Sequence, residues 1–428
     1  MSDSTANKRI SERDKKHLWH PLTQHKTHSE MLGIARAQGA LLYDEDGKEY
    51  VDGISSWYTC MYGHCNPFIL ERVMDQMQRL DQVVFSGFTH EPAVQLSEKL
   101  IEVLPNNQEK LFFSDNGSTS TEVAIKMALQ YHFNKDQKRN VILAFEEGFH
   151  GDTFGAMSVS GLSVYNGPFE EFFIDVERIP VPTTENIEQL LKHLKKRLKK
   201  NNIAGFIYEP LVQGAAAMKM HCAEHLEKIL SLLKKQEVLL IADEVMTGFG
   251  KTGKYFASDY LETKPDIMCL SKALTAGLIP MGLTTCTEEV YMAFYSDDVA
   301  KGLFHGHTYT ANPLACTAAL AALELLQTDA IQQNIRDIME WHRKFDEEIK
   351  HHPQVSNTRQ LGVIYALDLN VQTERYGNLR DKLFKHFMDR GVFLRPLGNT
   401  IYILAPYVTT REQMERIYGA IKSVVGLV

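Results

Sequence analysis

The chain has 428 residues, 44% hydrophobic and 23% charged, with a net charge of -8. That length allows two or three domains and a large core, and the composition is that of a soluble globular protein. The charge argues against a dedicated nucleic-acid binder, no apolar run is long enough to span a membrane, and six cysteines without a C-x-x-C pair or a signal peptide read as reduced thiols in a cytoplasmic protein.

Residues 1–16 are polar and expected to be loose. His17, His20, His25 and His28 crowd the same arm, but no cysteine or acidic cluster joins them at a ligand spacing, so no metal is assigned. Residues 40–52 carry a hairpin pattern, with Asp46 and Gly47 as the turn before Tyr50 and Val51. Residues 53–67, GISSWYTCMYGHCNP, are aromatic and glycine-bearing: either a pocket wall or a loop anchored in the core. From 68 to 330 strands alternate with helices. Strands are predicted over 111–113, 141–145, 204–208, 238–242, 267–270 and 282–285, and helices over 122–133, 186–199, 223–235 and 312–326. That alternation predicts an α/β fold with a large, doubly wound, mostly parallel sheet. The basic run 192–200 lies on an amphipathic helix with Ile187, Leu190, Leu191, Leu194 and Leu198 on its apolar face, so its lysines form a solvated outer surface. Beyond 331 a long charged helix, short strands near 363 and within 392–404, and a terminal helix suggest a smaller α+β domain, completed by the N-terminal hairpin. The expected division is 1–67, 68–330 and 331–428.

The stretch 238–272 organises the chemistry. Its first strand ends on Asp243 and Glu244, and its second delivers Ser271 and Lys272. Parallel sheets place their ligands just beyond the carboxyl ends of their strands, so Asp243 and Lys272 are positioned to face one pocket. A lysine that condenses with an aldehyde and an acid that keeps a pyridine nitrogen protonated are the two groups pyridoxal phosphate (PLP) requires. An ordinary salt bridge at a strand end explains this stretch equally well. Gly248, Gly250 and Gly253 match the dinucleotide fingerprint, but the following segment runs into Pro265 and leaves little room for its helix. A Walker loop fails because Val245 occupies the position of its leading glycine.

Other strand ends offer matching pieces. Gly117, Ser118 and Thr119 sit where a helix begins, as a phosphate cradle or as plain N-capping by Ser118 or Thr119. Phe149 in FHGD follows the 141–145 strand and offers a stacking face, or is a packed loop aromatic. Glu209 adds a second carboxylate near the same edge. Thr308, in the polar loop FHGHTYT, offers a hydroxyl to a phosphate. Arg395 offers a clamp for a substrate carboxylate, or is a surface arginine.

With these pieces assembled, the chain resembles class III aminotransferases of the PLP fold-type I group over nearly its whole length. The motifs HLWHPLTQ, DGISSWY, DNGSTSTEVAIKMALQY, FHGDTFGAMSVSG, EPLVQGAA, IADEVMTGFGKTGK, LSKALTAG, FHGHTYTANPLAC and LRPLGNTIY each have a counterpart there. HLWHP, SSWY, HGDTFGAMS and LRPLG resemble the branch that converts 7-keto-8-aminopelargonate to 7,8-diaminopelargonate in biotin biosynthesis. S-Adenosylmethionine is that branch's usual amino donor and lysine a known variation. The resemblance implies Lys272 and Asp243 as catalytic residues, with Gly117, Ser118, Phe149, His307 and Thr308 also holding the cofactor. It implies Trp57, Phe149, Lys272, Gly306, Arg395 and the Leu22 position around the substrate. His307 and Thr308 would reach the phosphate of a neighbouring subunit, which implies a homodimer. No metal, nucleic acid or membrane enters this reading. Leu22 and Phe149 replace common tyrosines, Tyr58 a frequent tryptophan, and His307 a proline found in some members. The alternatives are another class III enzyme acting on ornithine, 4-aminobutyrate or β-alanine, a PLP aminomutase or racemase, and a PLP-binding regulator, for which no DNA-binding module is found.

Overall fold

The computed structural model describes residues 9–27, 31–164, 166–371 and 378–426. Residues 1–8 of the arm, and His28, lie outside the described residues.

The strand Leu239–Asp243 is buried along its entire length. Its side chains alternate between two cores: Leu240 and Ala242 enter one, Leu239 and Ile241 the other. Ile267–Leu270 repeats the pattern, with Met268 and Leu270 opposite Ile267 and Cys269. A strand covered on both faces needs no polar alternation, which is why both read as continuous apolar runs. They pair in parallel, Ile241 beside Ile267 and Asp243 beside Cys269. The sheet has seven strands, in the order Lys110–Ser114, Gly282–Cys286, Ile267–Leu270, Leu239–Asp243, Ile203–Tyr208, Val141–Phe145 and Val176–Ile179. Only Gly282–Cys286 runs antiparallel to its neighbours.

Helix Gly117–Asn134 buries Val123, Ala124, Met127 and Ala128 in the second core. Helices Ile187–Arg197 and Ala223–Lys234 cover the opposite face. The basic helix buries Ile187, Leu190 and Leu194 and leaves its lysines exposed, as its spacing predicts. Helix Pro313–Leu326 packs against Pro67–Met77 and Glu91–Val103, two helices not specified from the sequence.

The chain ends meet in a four-stranded sheet. Ile34–Gln38, Leu41–Asp44 and Glu49–Asp52 form its antiparallel part, and Val392–Phe393 adds in parallel to Glu49–Asp52. A three-stranded antiparallel sheet of Val355–Leu361, Ile364–Leu369 and Thr400–Ile403 lies in the C-terminal part. Leu404 N–H donates to Gly53 O at 2.8 Å and Tyr407 N–H to Met61 O at 2.6 Å, so the aromatic segment after residue 53 is tied to the C-terminal strands. Among the described residues no single helix is long and apolar enough to cross a membrane.

Candidate active site

A cleft of about 480 Å³ opens at the carboxyl edge of the large sheet. Asp243 and Lys272 both line it, together with Gly117, Ser118 and Phe149. Five residues chosen from three stretches of sequence therefore share one cavity.

Asp243 is the last residue of its strand rather than the first beyond it, and is 3% exposed. A buried carboxylate needs partners. Oδ2 contacts His150 Nδ1 at 2.6 Å, and Oδ1 accepts the Val245 N–H at 3.0 Å. The imidazole is itself buried, and the residue's backbone N–H donates to Ser160 Oγ at 2.9 Å.

Lys272 follows the neighbouring strand and takes a left-handed backbone, φ 51°. A non-glycine residue there is strained and persists only where its surroundings hold it. Ser271 Oγ donates to Met281 O at 2.7 Å and Thr275 Oγ1 to Ile279 O at 2.6 Å, which fixes the turn on both sides. The Lys272 ammonium stands 5.0 Å from the centre of the Tyr58 ring. Burial lowers its pKa, and the carboxylates of Asp243 and Glu209 oppose that shift.

The helix after Lys110–Ser114 begins at Gly117. Its cap is Asn116, whose side chain accepts from Thr119 N–H while Thr119 Oγ1 accepts from Asn116 N–H. Neither Ser118 nor Thr119 is the N-cap. Ser118 Oγ instead accepts the Asp152 N–H at 3.2 Å, and the first-turn N–H groups of Gly117 and Ser118 have no carbonyl to bond within the helix. A Cβ on Gly117 would stand 2.8 Å from Val245 Cγ1, and one on Gly151, at φ +132°, would stand 2.1 Å from Ser118 Oγ. The cradle thus depends on both glycines for space.

Glu209 also lines the cleft and is buried. It accepts N–H groups from Phe149 and Gly214, each at 3.0 Å. Burial raises its pKa to about 7, against the opposing effect of His150. Phe149 is 43% exposed, so its ring has a free face rather than a packed one. His150 received no role from the sequence although it lies in the FHGD motif; a histidine one residue from the stacking aromatic was its only signal.

Trp57 and Arg395 lie outside the cleft lining but meet each other, with the guanidinium carbon 4.5 Å from the indole ring centre. Tyr58 connects them to the cleft: its ring faces Lys272, and its hydroxyl donates to Tyr402 Oη at 3.0 Å. Gly306 and Thr308 are exposed, and neither they nor His307 line the cleft of their own chain. Leu22 is 45% exposed and also lies outside the lining.

Comparison with known proteins decides the family. The model of aminotransferase class-III matches residues 23–425. The chain belongs to the class-III aminotransferase family. It is 43% identical to the adenosylmethionine-8-amino-7-oxononanoate aminotransferase of Synechococcus elongatus, over 95% of this chain and 97% of that protein. It is 34% identical to the enzyme of the same name from Helicobacter pylori, over 97% and 96%. The crystal structure of the Methanocaldococcus jannaschii protein of that name superimposes with a TM-score of 0.91, at 31% identity, covering 97% of this chain and 98% of that one. A PLP-bound amine transaminase from an uncultivated Pseudomonas species gives a TM-score of 0.88 at 26% identity, covering 96% and 98%. The α/β architecture is therefore that of the PLP fold-type I class-III aminotransferases.

The residues of this class-III aminotransferase fit the cofactor of its family. An amine, a buried carboxylate with two donors holding it, and free N–H groups at a helix start face one cleft, with an aromatic ring beside them. This donor set suits an aldehyde, a pyridinium nitrogen, a phosphate and a flat ring respectively.

Proposed function

We propose that this chain transfers an amino group to 7-keto-8-aminopelargonate (8-amino-7-oxononanoate), giving 7,8-diaminopelargonate for biotin synthesis, with S-adenosylmethionine as donor and PLP as cofactor. The observation that carries the reading is the convergence of Lys272, Asp243 and the Gly117 helix start on one cleft, in a chain whose near-full-length relatives bear that enzyme's name. The word adenosylmethionine in those names favours S-adenosylmethionine over lysine as the donor.

In this reading Lys272 carries the cofactor, Asp243 faces its ring nitrogen, Gly117 and Ser118 hold its phosphate, and Phe149 covers the ring. Bound PLP supplies the electron sink that stabilises a carbanion at the amino-bearing carbon. Lys272 Nζ, once free, moves the proton at that carbon. Burial lowers its pKa from an ordinary value of 10.5, which increases the fraction of neutral amine available as a base. Asp243 is held in place for its role, because His150 and Val245 engage its two oxygens. Trp57 covers the chain of the keto acid and Arg395 binds its carboxylate. Leu22 and Gly306 are assigned to the substrate contacts by the family resemblance alone.

His307 and Thr308 act on the neighbouring cleft of a homodimer. Phe304 and Tyr309, 72% and 65% exposed, flank them and supply apolar surface for a second copy. All six cysteines are free, which suits a cytoplasmic enzyme.

The test is a two-step absorbance titration of purified holoenzyme. S-Adenosylmethionine is expected to remove the visible band of the lysine-bound cofactor, and the keto acid to restore it with formation of the diamine by mass spectrometry. Lysine in a parallel cuvette tests the other donor. Loss of the band with ornithine or 4-aminobutyrate, and no recovery with the keto acid, would overturn the substrate assignment.

A further inference from the structure

Four consecutive non-glycine residues beside the cleft have left-handed backbone. Ser55, Ser56, Trp57 and Tyr58 have φ of 49°, 45°, 70° and 71°. In that region the Cβ of an L-residue crowds the following carbonyl oxygen, so single visits are the rule and a whole turn is not. Such a turn persists only where several contacts outside it hold each residue.

Those contacts are present. Asp52 is fully buried, and its Oδ2 receives both His64 Nε2, at 2.8 Å, and the Ser56 hydroxyl, at 2.9 Å. The Ser56 hydroxyl also lies 3.3 Å from His64 Nε2, which closes the triangle. Asp52 Oδ1 accepts the Ile54 N–H at 3.2 Å, just before the turn. Burial on its own would lower the His64 pKa, but its bonds to Asp52 and to Cys60 push it up to about 10, so Asp52 favours the protonated imidazole. On the other side the Ser55 hydroxyl donates to Leu404 O at 2.7 Å.

The turn carries two side chains that lie beside the cleft lining. Trp57 lies against Arg395, and Tyr58 lies between Lys272 and Tyr402. In an ordinary right-handed turn these two would leave the same backbone in other directions, and the indole would no longer back the guanidinium.

We propose that Asp52, Ser56 and His64 are positioning residues that hold the left-handed turn and thereby set the acceptor-binding wall formed by Trp57, Tyr58 and Arg395. None of the three touches the reacting atoms. The identity of the acceptor rests on the function proposed above; the holding of the turn does not.

The test uses holoenzyme carrying Trp19→Phe and Trp341→Phe, which leaves Trp57 as the only tryptophan. Ser56→Ala and His64→Gln are then compared with that parent by acrylamide quenching of Trp57 and by steady-state kinetics. Both substitutions are expected to increase quenching, and to raise KM for the keto acid about tenfold, the loss expected from one hydrogen bond to a charged group. The kcat at saturating keto acid should fall much less. Ser56→Gly should lie closer to the parent than Ser56→Ala, because glycine adopts positive φ without steric cost although it also lacks the hydroxyl. If His64→Gln does not fold, the two Ser56 variants decide the matter. Unchanged quenching and KM in Ser56→Ala, or equal defects in Ser56→Ala and Ser56→Gly, would overturn the proposal. If the parent does not use this keto acid but Ser56→Ala still exposes Trp57, the acceptor assignment falls and the positioning role stands.

Discussion

Replacing His150 isolates the support of Asp243 from every other feature of the cleft. The imidazole Nδ1 lies 2.6 Å from Asp243 Oδ2, and both side chains are buried. Among the described residues His150 Nε2 has no partner, so Asp243 is the sole polar contact of the ring that a substitution removes. His150→Phe keeps a ring in the space and removes the donor. Asp243 then retains only the Val245 N–H on its other oxygen. In the empty protein the released oxygen can bond water instead. In the reading proposed above Asp243 would face the ring nitrogen of PLP, so the cost falls on cofactor binding. A hydrogen bond to a charged group contributes about 1.5–3 kcal/mol, which corresponds to a rise in cofactor Kd of about 10- to 150-fold. The assay is a fluorescence titration of apoenzyme with PLP, with thermal melts of the apo forms as the control for packing. His150→Asn, whose amide reaches toward the Nδ1 position, should recover part of the loss. A Kd unchanged in His150→Phe would refute the assignment of His150 as the support of Asp243.

Three further outcomes follow from the same geometry. Among the described residues no carboxylate pairs with Arg395, so its charge is available to a substrate; Arg395→Ala should raise KM for the keto acid about 10- to 100-fold with a smaller change in kcat. Arg395→Lys should fall between, having the charge without the planar face that lies on Trp57. Glu209 has its pKa raised from 4.5 to about 7, so between those values the native state holds a proton that the unfolded chain has lost. Its contribution therefore makes stability fall as pH rises through that window, and urea melts at pH 5 and pH 8 should show a smaller decline in Glu209→Gln than in the parent. Gly151→Ala would force a Cβ to 2.1 Å from Ser118 Oγ at a positive φ, and should weaken PLP binding more than tenfold by displacing the phosphate cradle; an unchanged Kd would show that the cradle lies elsewhere.

The buried strands were legible because a sheet covered on both faces needs unbroken apolar runs. The predicted strands at 141–145 and 267–270 coincide with the observed ones, and 238–242 is displaced by one residue because Asp243 still pairs beside Cys269. Direction was not legible. The 282–285 run looks like its parallel neighbours, yet the link before it is only residues 271–281, too short for a helical crossover, and the strand runs antiparallel. Helices Pro67–Met77 and Glu91–Val103 escaped notice for a different reason. Each opens with proline in its first turn, where proline is tolerated, and the second is capped by His90, a residue outside the usual N-cap set. The smaller sheet formed by the two chain ends was legible only as a leftover: a hairpin lacking a partner at one end, and short strands lacking one at the other.

Within the site, legibility followed local rules until the backbone broke them. Gly117, Asp243 and Lys272 were found because strand ends and helix starts follow from periodicity. What periodicity omits is how those residues are held. Lys272 has φ 51°, and four residues at Ser55–Tyr58 share that left-handed region, although none is glycine and propensity gives no sign of it. Neither turn is stable by itself, and each is held by side chains distant in sequence: Ser271 by Met281 O, Ser55 by Leu404 O, Ser56 by Asp52. These are the positions where a sequence that is locally consistent elsewhere departs from its own preferences. The two turns also meet, because the Lys272 ammonium rests over the Tyr58 ring. Strain stored in one is thus in contact with strain stored in the other, across the surface where donor and acceptor must exchange. Two turns that are each held from outside, and that touch each other, therefore fix the position of the Lys272 side chain from two directions.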